Sequence, residues 1–218
     1  MLDLLLPQRC LVCGRGGVQL CPGCRDGLTR IEPPLCDRCG APTAWPVARC
    51  RECAGRRLAF ASARAAVVYD EDVRRLVRGW KEDGLRRLAD AAAALVAERV
   101  PRPSAAVVTF VAADRDRTLW RGHHPAERLA EALAARWELP CEPLLLRAPG
   151  RRQRGRTLAE RRKNVRRAFR AAARPPARVI LVDDVYTTGA TASAAASALR
   201  AAGARRVDVV AFARALRD

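Results

Sequence analysis

The chain has 218 residues, half of them hydrophobic, with 41 basic and 23 acidic side chains and a formal net charge of +18. That length gives room for one α/β core of ordinary size plus a small accessory module, and no stretch approaches the roughly 18 uninterrupted apolar residues of a membrane span. Every basic residue except Lys81 and Lys163 is an arginine, matched by an excess of alanine, so part of the charge is compositional. The remainder points to an anionic partner, whether nucleotide, pyrophosphate or nucleic acid.

The amino end, MLDLLLPQRC, has a short apolar run with no basic leader and reaches proline at Pro7. No signal peptide is expected there, and the protein is expected to be cytoplasmic. To about Leu58 the chain is rich in Cys, Pro, Gly and Arg and cannot fold on a hydrophobic core alone. Eight of the nine cysteines fall in four Cys-x-x-Cys pairs: Cys10 and Cys13, Cys21 and Cys24, Cys36 and Cys39, Cys50 and Cys53. Each pair can present two thiolates to one tetrahedral zinc, so the four make two closed structural sites. Sequential pairing, first with second and third with fourth, is favoured over a crossed arrangement, though spacing leaves both open. Two zinc ions on eight thiolates lower the net charge to about +14, which is still strongly basic. The expected division is a double zinc ribbon at 1–58 and an α/β domain at 59–218.

From Arg64 onward apolar runs alternate with amphipathic stretches. Strands are predicted at Ala65 to Tyr69, Ala105 to Ala112, Pro143 to Leu146, Arg178 to Val182 and Arg206 to Phe212. Helices are predicted at Asp72 to Gly79, Leu85 to Arg99, Pro125 to Trp137 and Ala190 to Ala202. This alternation predicts an α/β fold with a mostly parallel sheet flanked by helices. His123 and His124 read as helix-start residues, and Cys141 as a near-core thiol. Between Arg147 and Arg167 lies an arginine-dense segment with little apolar period, of the kind that serves as a functional loop.

Val179 to Thr191 reads VILVDDVYTTGAT. A buried strand delivers Asp183 and Asp184 at its carboxyl end, and Thr187, Thr188, Gly189, Ala190 and Thr191 turn the chain into a helix. Loop amides and the positive end of that helix can cradle a monophosphate, with threonine hydroxyls on its remaining oxygens. The paired carboxylates can accept from ribose hydroxyls and stabilise positive charge developing on the sugar.

This segment resembles the signature of type I phosphoribosyltransferases, an apolar strand followed by DDxxTTGxT. The whole chain further resembles the ComF-like branch of that family, also called GntX-like, whose members open with zinc-binding cysteine pairs and are linked to competence for DNA uptake. Lys81, Arg121 with Gly122, Arg161 with Asn164, and Phe169 match hallmarks of that branch. The resemblance implies a type I phosphoribosyltransferase-like fold and binding of 5-phosphoribosyl 1-pyrophosphate (PRPP) with magnesium. It assigns Asp183 and Asp184 the catalytic role and Asp183, Asp184, Thr187, Thr188, Gly189, Ala190 and Thr191 the PRPP site. Lys81, Arg115, Arg117 and Arg161 become candidate pyrophosphate or lid contacts. Two regions depart from the branch: Phe110, Val111 and Ala112 replace a proline-valine-proline run, and His123, His124 and Pro125 replace part of an RGFNQ segment.

Three functions follow as alternatives: Mg-dependent phosphoribosyl transfer to an unidentified acceptor, handling of single-stranded DNA with competence proteins as partners, and PRPP sensing without turnover. Aromatic residues make up only 5% of the chain, which leaves electrostatics rather than base stacking as the means of holding DNA. The sequence leaves the oligomeric state open.

Overall fold

A computed structural model of the chain describes residues 8–85, 87–113, 123–148 and 168–216. In chain order the described elements are α1 (Pro22–Gly27), β1 (Ser62–Val68), α2 (Glu71–Glu82), α3 (Leu88–Arg99), β2 (Val107–Phe110), α4 (Pro125–Trp137), β3 (Leu145–Arg147), β4 (Phe169–Ala171), β5 (Arg178–Tyr186), α5 (Ala190–Ala201) and β6 (Arg206–Arg214). The main sheet has four strands in the order β1-β6-β5-β2, and every pairing in it is parallel. The α/β architecture expected from the alternating pattern is therefore present.

Parallel sheets need cover on both faces, and the alternation along the strands shows what supplies it. Val108, Phe110, Ile180, Val182, Val210 and Phe212 face a core built from α2, α3 and α4. Val107, Val179, Leu181, Val207, Val209 and Ala211 face α5 together with Cys36, Cys39, Cys53, Leu58 and Phe60. The second cysteine module thus covers this face as a helix would. The first module lies on the opposite face, where Leu11, Val12 and Leu20 pack against the helical core.

The segment joining the two modules closes the sheet edge. The Ile31 amide donates to the Ala66 carbonyl (3.0 Å) and the Val68 amide to the Thr29 carbonyl (2.8 Å), so residues 29–31 run antiparallel beside β1. An edge that would otherwise offer a free ladder is paired.

Helix ends follow their local chemistry. Asp70 caps α2 by accepting from the Val73 amide (3.0 Å), with Glu71 and Asp72 in the first turn and Lys81 in the last. Pro125 opens α4 behind the His124 cap, so the helix-start reading of the histidine pair stands. His123 Nε2 lies 2.6 Å from the Trp80 carbonyl, to which it donates, tying α4 to α2.

Three sequence expectations change. Helix α2 runs to Glu82 rather than stopping at Gly79, so Lys81 is helical. Strand β5 runs to Tyr186 rather than ending at Val182, so the two aspartates lie within the strand. Strand β3 pairs antiparallel with β4, a short strand the sequence did not announce, and stands outside the parallel sheet. Among the described residues no helix is long and apolar enough to cross a membrane.

Candidate functional site

The site forms where β5 outruns its neighbour. Strand β2 gives its last ladder pair at Phe110 with Val182, whereas β5 stays paired with β6 through Asp183, Val185 and Tyr186. Asp183 and Asp184 therefore stand beyond the end of β2, in the crevice position that parallel α/β sheets use for ligands. Both residues are half-buried, and the Asp184 side chain is only 13% exposed.

Lys81 reaches the site from the last turn of α2, with Nζ 2.8 Å from Asp184 Oδ2. The Asp184 amide donates to Asp183 Oδ1 (3.0 Å). Burial, and then the Asp184 carboxylate, push Asp183 up to about 8, against the opposing pull of Lys81, the Asp184 amide and Arg147. The raised Asp183 favours its protonated form, which adds an O–H donor beside the acceptor oxygens of Asp184. Adjacent hydroxyls of a sugar, each both donor and acceptor, are matched by such a pair.

The loop after β5 is fixed from below. Gly189 has φ +69°, and a Cβ at that position would lie 2.3 Å from Tyr186 Oη, so only glycine fits. The Thr188 hydroxyl accepts from the Ala190 amide (3.2 Å) at the start of α5. Amides in the first helical turn have no intrahelical acceptor, and here they follow a Thr-Thr-Gly turn. Thr187 and Ala190 are exposed, while Thr188 and Thr191 are half-buried. An anion seated here meets backbone donors, threonine hydroxyls and the helix dipole.

Four residues near the site carried no signal in the sequence. Arg56 Nη2 donates to the Thr188 carbonyl (2.6 Å). Arg214, almost completely buried, lies with its guanidinium 4.8 Å from the Tyr186 ring centroid. Tyr186 occupies an unassigned position of the motif and supports Gly189. Arg147 stacks 5.3 Å from the Phe169 ring centroid and is one of the cations that act on Asp183. Phe169, matched on resemblance, thus helps to hold an arginine near the carboxylates. Arg115, Arg117 and Arg161, together with Arg121, Gly122 and Asn164, lie outside the described residues.

The cysteines gather in two groups, Cys10, Cys13, Cys21 and Cys24, and Cys36, Cys39, Cys50 and Cys53, with all thiol sulfurs of a group within 4.8 Å of one another. This is sequential pairing. Sulfur separations of 3.7 Å (Cys13 to Cys21), 3.6 Å (Cys36 to Cys53) and 3.4 Å (Cys39 to Cys50) are far too long for disulfides. They approach the ~3.8 Å edge of a tetrahedron with zinc-thiolate bonds of about 2.3 Å. Amides of Cys21 and Cys50 point at Cys10 Sγ (3.5 Å) and Cys36 Sγ (3.2 Å), as they would at thiolates. Burial raises both of these thiols, but the amide hydrogen bonds outweigh it and bring Cys10 to about 6 and Cys36 to about 7. The donor sets fit two closed four-thiolate zinc sites. The magnesium expectation meets a different donor set: with Asp183 raised and Asp184 paired with Lys81, the carboxyl pair forms no closed protein cage, and a hard cation there would be held mainly by ligand oxygens.

Residues 1–54 match the family described as double zinc ribbon domain. Over 95% of its length the chain is 27% identical to competence protein F of Haemophilus influenzae, of which it covers 97%. Similar solved structures include glutamine PRPP amidotransferase from B. subtilis in complex with ADP and GMP (26% identity, 57% of this chain, TM-score 0.37), of which the chain spans only 25%. Another is orotate phosphoribosyltransferase from Aeropyrum pernix (25% identity, 67% of each chain, TM-score 0.37). The chain is thus similar to competence protein F over almost its whole length and matches a double zinc ribbon in front of its α/β sheet.

Proposed function

We propose that the chain binds PRPP and transfers its phosphoribosyl group to a nucleophile with release of pyrophosphate. The observation that carries this reading is the meeting of Asp183, Asp184 and the Thr187–Thr191 turn at a strand end that projects past its neighbour. The turn takes the 5-phosphate on its amides and hydroxyls. Asp183, favoured in its protonated form, and Asp184 hold the 2- and 3-hydroxyls, and Asp184 stabilises positive charge on the ring as the anomeric bond breaks. Lys81 holds Asp184 in place through its ion pair, and its partly exposed side chain can also meet a diphosphate oxygen. Magnesium bound with the diphosphate would supply charge neutralisation for the departing pyrophosphate. We assign the segments 1–58 and 59–218 to the ribbon and transferase units, and the protein to the cytoplasm.

The test is pyrophosphate release from PRPP and magnesium across a panel of bases, with calorimetry of PRPP binding alongside. A folded Asp183→Asn, Asp184→Asn double variant is expected to bind PRPP far more weakly. Undiminished binding by that variant would sink the assignment. Binding without turnover on any acceptor would identify a PRPP sensor.

The similarity to competence protein F and the net charge of +18 support a second reading, electrostatic handling of single-stranded DNA.

A further inference from the structure

Three routes join the second cysteine module and the segment just after it to the phosphate loop and the start of α5, each starting within six residues of a metal-type thiol. In the knuckle of Cys50 and Cys53, the Ala54 amide donates to the Cys50 carbonyl (2.9 Å) and the Arg56 amide to the Cys53 carbonyl (3.2 Å). This turn fixes the backbone of Arg56, whose carbonyl also accepts from Arg49 Nη1 (3.1 Å). The Arg56 guanidinium then reaches the Thr188 carbonyl at 2.6 Å. The second route starts at Cys39. Arg214 donates to its carbonyl (2.6 Å) and to Glu52 Oε2 (2.8 Å), and the same guanidinium lies over Tyr186, the ring on which Gly189 rests. The third runs through the Ala59 amide, which donates to Ser193 Oγ (3.1 Å) in the first turn of α5.

An anion-binding turn works only if its amides converge on the ligand and its carbonyls face away. A carbonyl turned outward needs a donor on that side, and a charged donor holds it more firmly than a neutral one. Arg56 supplies that donor to Thr188. The guanidinium also places a fixed positive charge behind the turn.

We propose that the second four-cysteine site is a clamp on the phosphate loop, with Arg56 as the positioning residue that orients the Thr188 peptide, and that metal at this site sets anion affinity. The first four-cysteine site has no such role. It packs against α2, where a Cβ on Gly79 would lie 2.5 Å from Leu11 Cδ1, and its polar contacts with the helices include Arg75 on α2 and Glu98 on α3. The identity of the ligand, a ribose phosphate, rests on the function proposed above; the clamp itself does not.

The experiment uses the full chain with its zinc in place and follows hydrogen exchange in the segment 186–194, with ribose 5-phosphate as the binding probe. Arg56→Gln is expected to raise exchange in that segment roughly ten-fold and to weaken ribose 5-phosphate by a similar factor, at unchanged zinc content. Arg56→Lys restores part of both, because an ammonium can donate to the same carbonyl. Cys50→Ser loosens the segment further, whereas Cys13→Ser leaves it protected. Unchanged exchange in folded Arg56→Gln protein, or equal loosening by Cys13→Ser, overturns the clamp. If exchange responds to Arg56 but the wild type binds no ribose 5-phosphate, the clamp on the loop stands, while its effect on anion affinity and the PRPP reading both fall.

Discussion

Lys81 Nζ sits 2.8 Å from Asp184 Oδ2, joining the last turn of α2 to the projecting end of β5. The two side chains are 28% and 13% exposed, so the pair is partly shielded from water and its loss leaves a carboxylate short of a partner. Lys81→Met is expected to destabilise the fold by about 1–3 kcal/mol, less than a fully buried pair because solvent still reaches the lysine. Adding Asp184→Asn should return part of that loss. Urea unfolding of the two single variants and the double variant measures the coupling directly, and strictly additive effects would remove the pair from the account.

The Asp183 carboxyl gives the site a pH signature. Its folded-state value of about 8 lies above the ordinary 3.8, so the folded chain binds more protons than the unfolded chain between those limits. The contribution of this group to stability is therefore full below about pH 4 and is lost as the pH rises through about 8. An asparagine side chain at this position mimics the protonated group and titrates nowhere, so the stability of Asp183→Asn relative to wild type is expected to increase from about pH 6 to about pH 9. Paired thermal melts across that range check the sign. A constant difference would show that Asp183 has an ordinary acidity.

Gly189 combines a left-handed φ of +69° with a Tyr186 ring that leaves no room for a Cβ. Gly189→Ala carries about 1–2 kcal/mol of backbone strain before any contact is counted. The steric conflict adds to this and has to be relieved by moving the turn. The expected result is a lower denaturation midpoint together with weaker ribose 5-phosphate binding. Normal binding by this variant would show that the turn geometry is not needed for the anion.

How far the sequence reached depended on the kind of interaction. Apolar period and the DDxxTTGxT pattern located β5, α5 and the aspartates because these signals are local in the chain. The cysteine spacing located the ligands of both metal sites, and the preferred sequential pairing is the one the fold adopts. Arg56 and Arg214 were invisible because each acts on a residue far away in sequence: 132 positions separate Arg56 from Thr188, and 175 separate Cys39 from Arg214. In an arginine-rich chain such residues look like any other surface charge. The end of β5 was misplaced because aspartates are poor strand formers, and here pairing with β6 overrides that preference.

Two equivalents of zinc per chain are expected on elemental analysis of protein purified under reducing conditions. Fewer than one would refute even a single site. Because Cys36, Cys39 and Cys53 share a core with β5, β6 and α5, chelation is expected to loosen that face of the sheet as well as the ribbon. Circular dichroism of the stripped protein should show helix loss beyond the short α1.

The second functional reading makes its own prediction, that the protein binds single-stranded DNA with little sequence preference and a steep dependence on salt. The arginine-dense run from Arg147 to Arg170 motivates it, since the sequence there shows little apolar period. Each phosphate neutralised on a single strand contributes about −0.7 to the slope of log affinity against log salt, so roughly four or five neutralised phosphates give a slope near −3. Replacing Arg151, Arg152, Arg154 and Arg156 by glutamine is expected to flatten the slope in proportion to the number of these arginines that neutralise a phosphate. Competition by PRPP would place the strand across the nucleotide site, and indifference to PRPP would place it elsewhere, for instance on the ribbons. Fluorescence anisotropy with a labelled oligonucleotide at several salt concentrations, with and without PRPP, reads the affinity, the slope and the competition. Binding that ignores salt, or no binding even at low ionic strength, removes the DNA reading and leaves the transferase reading alone.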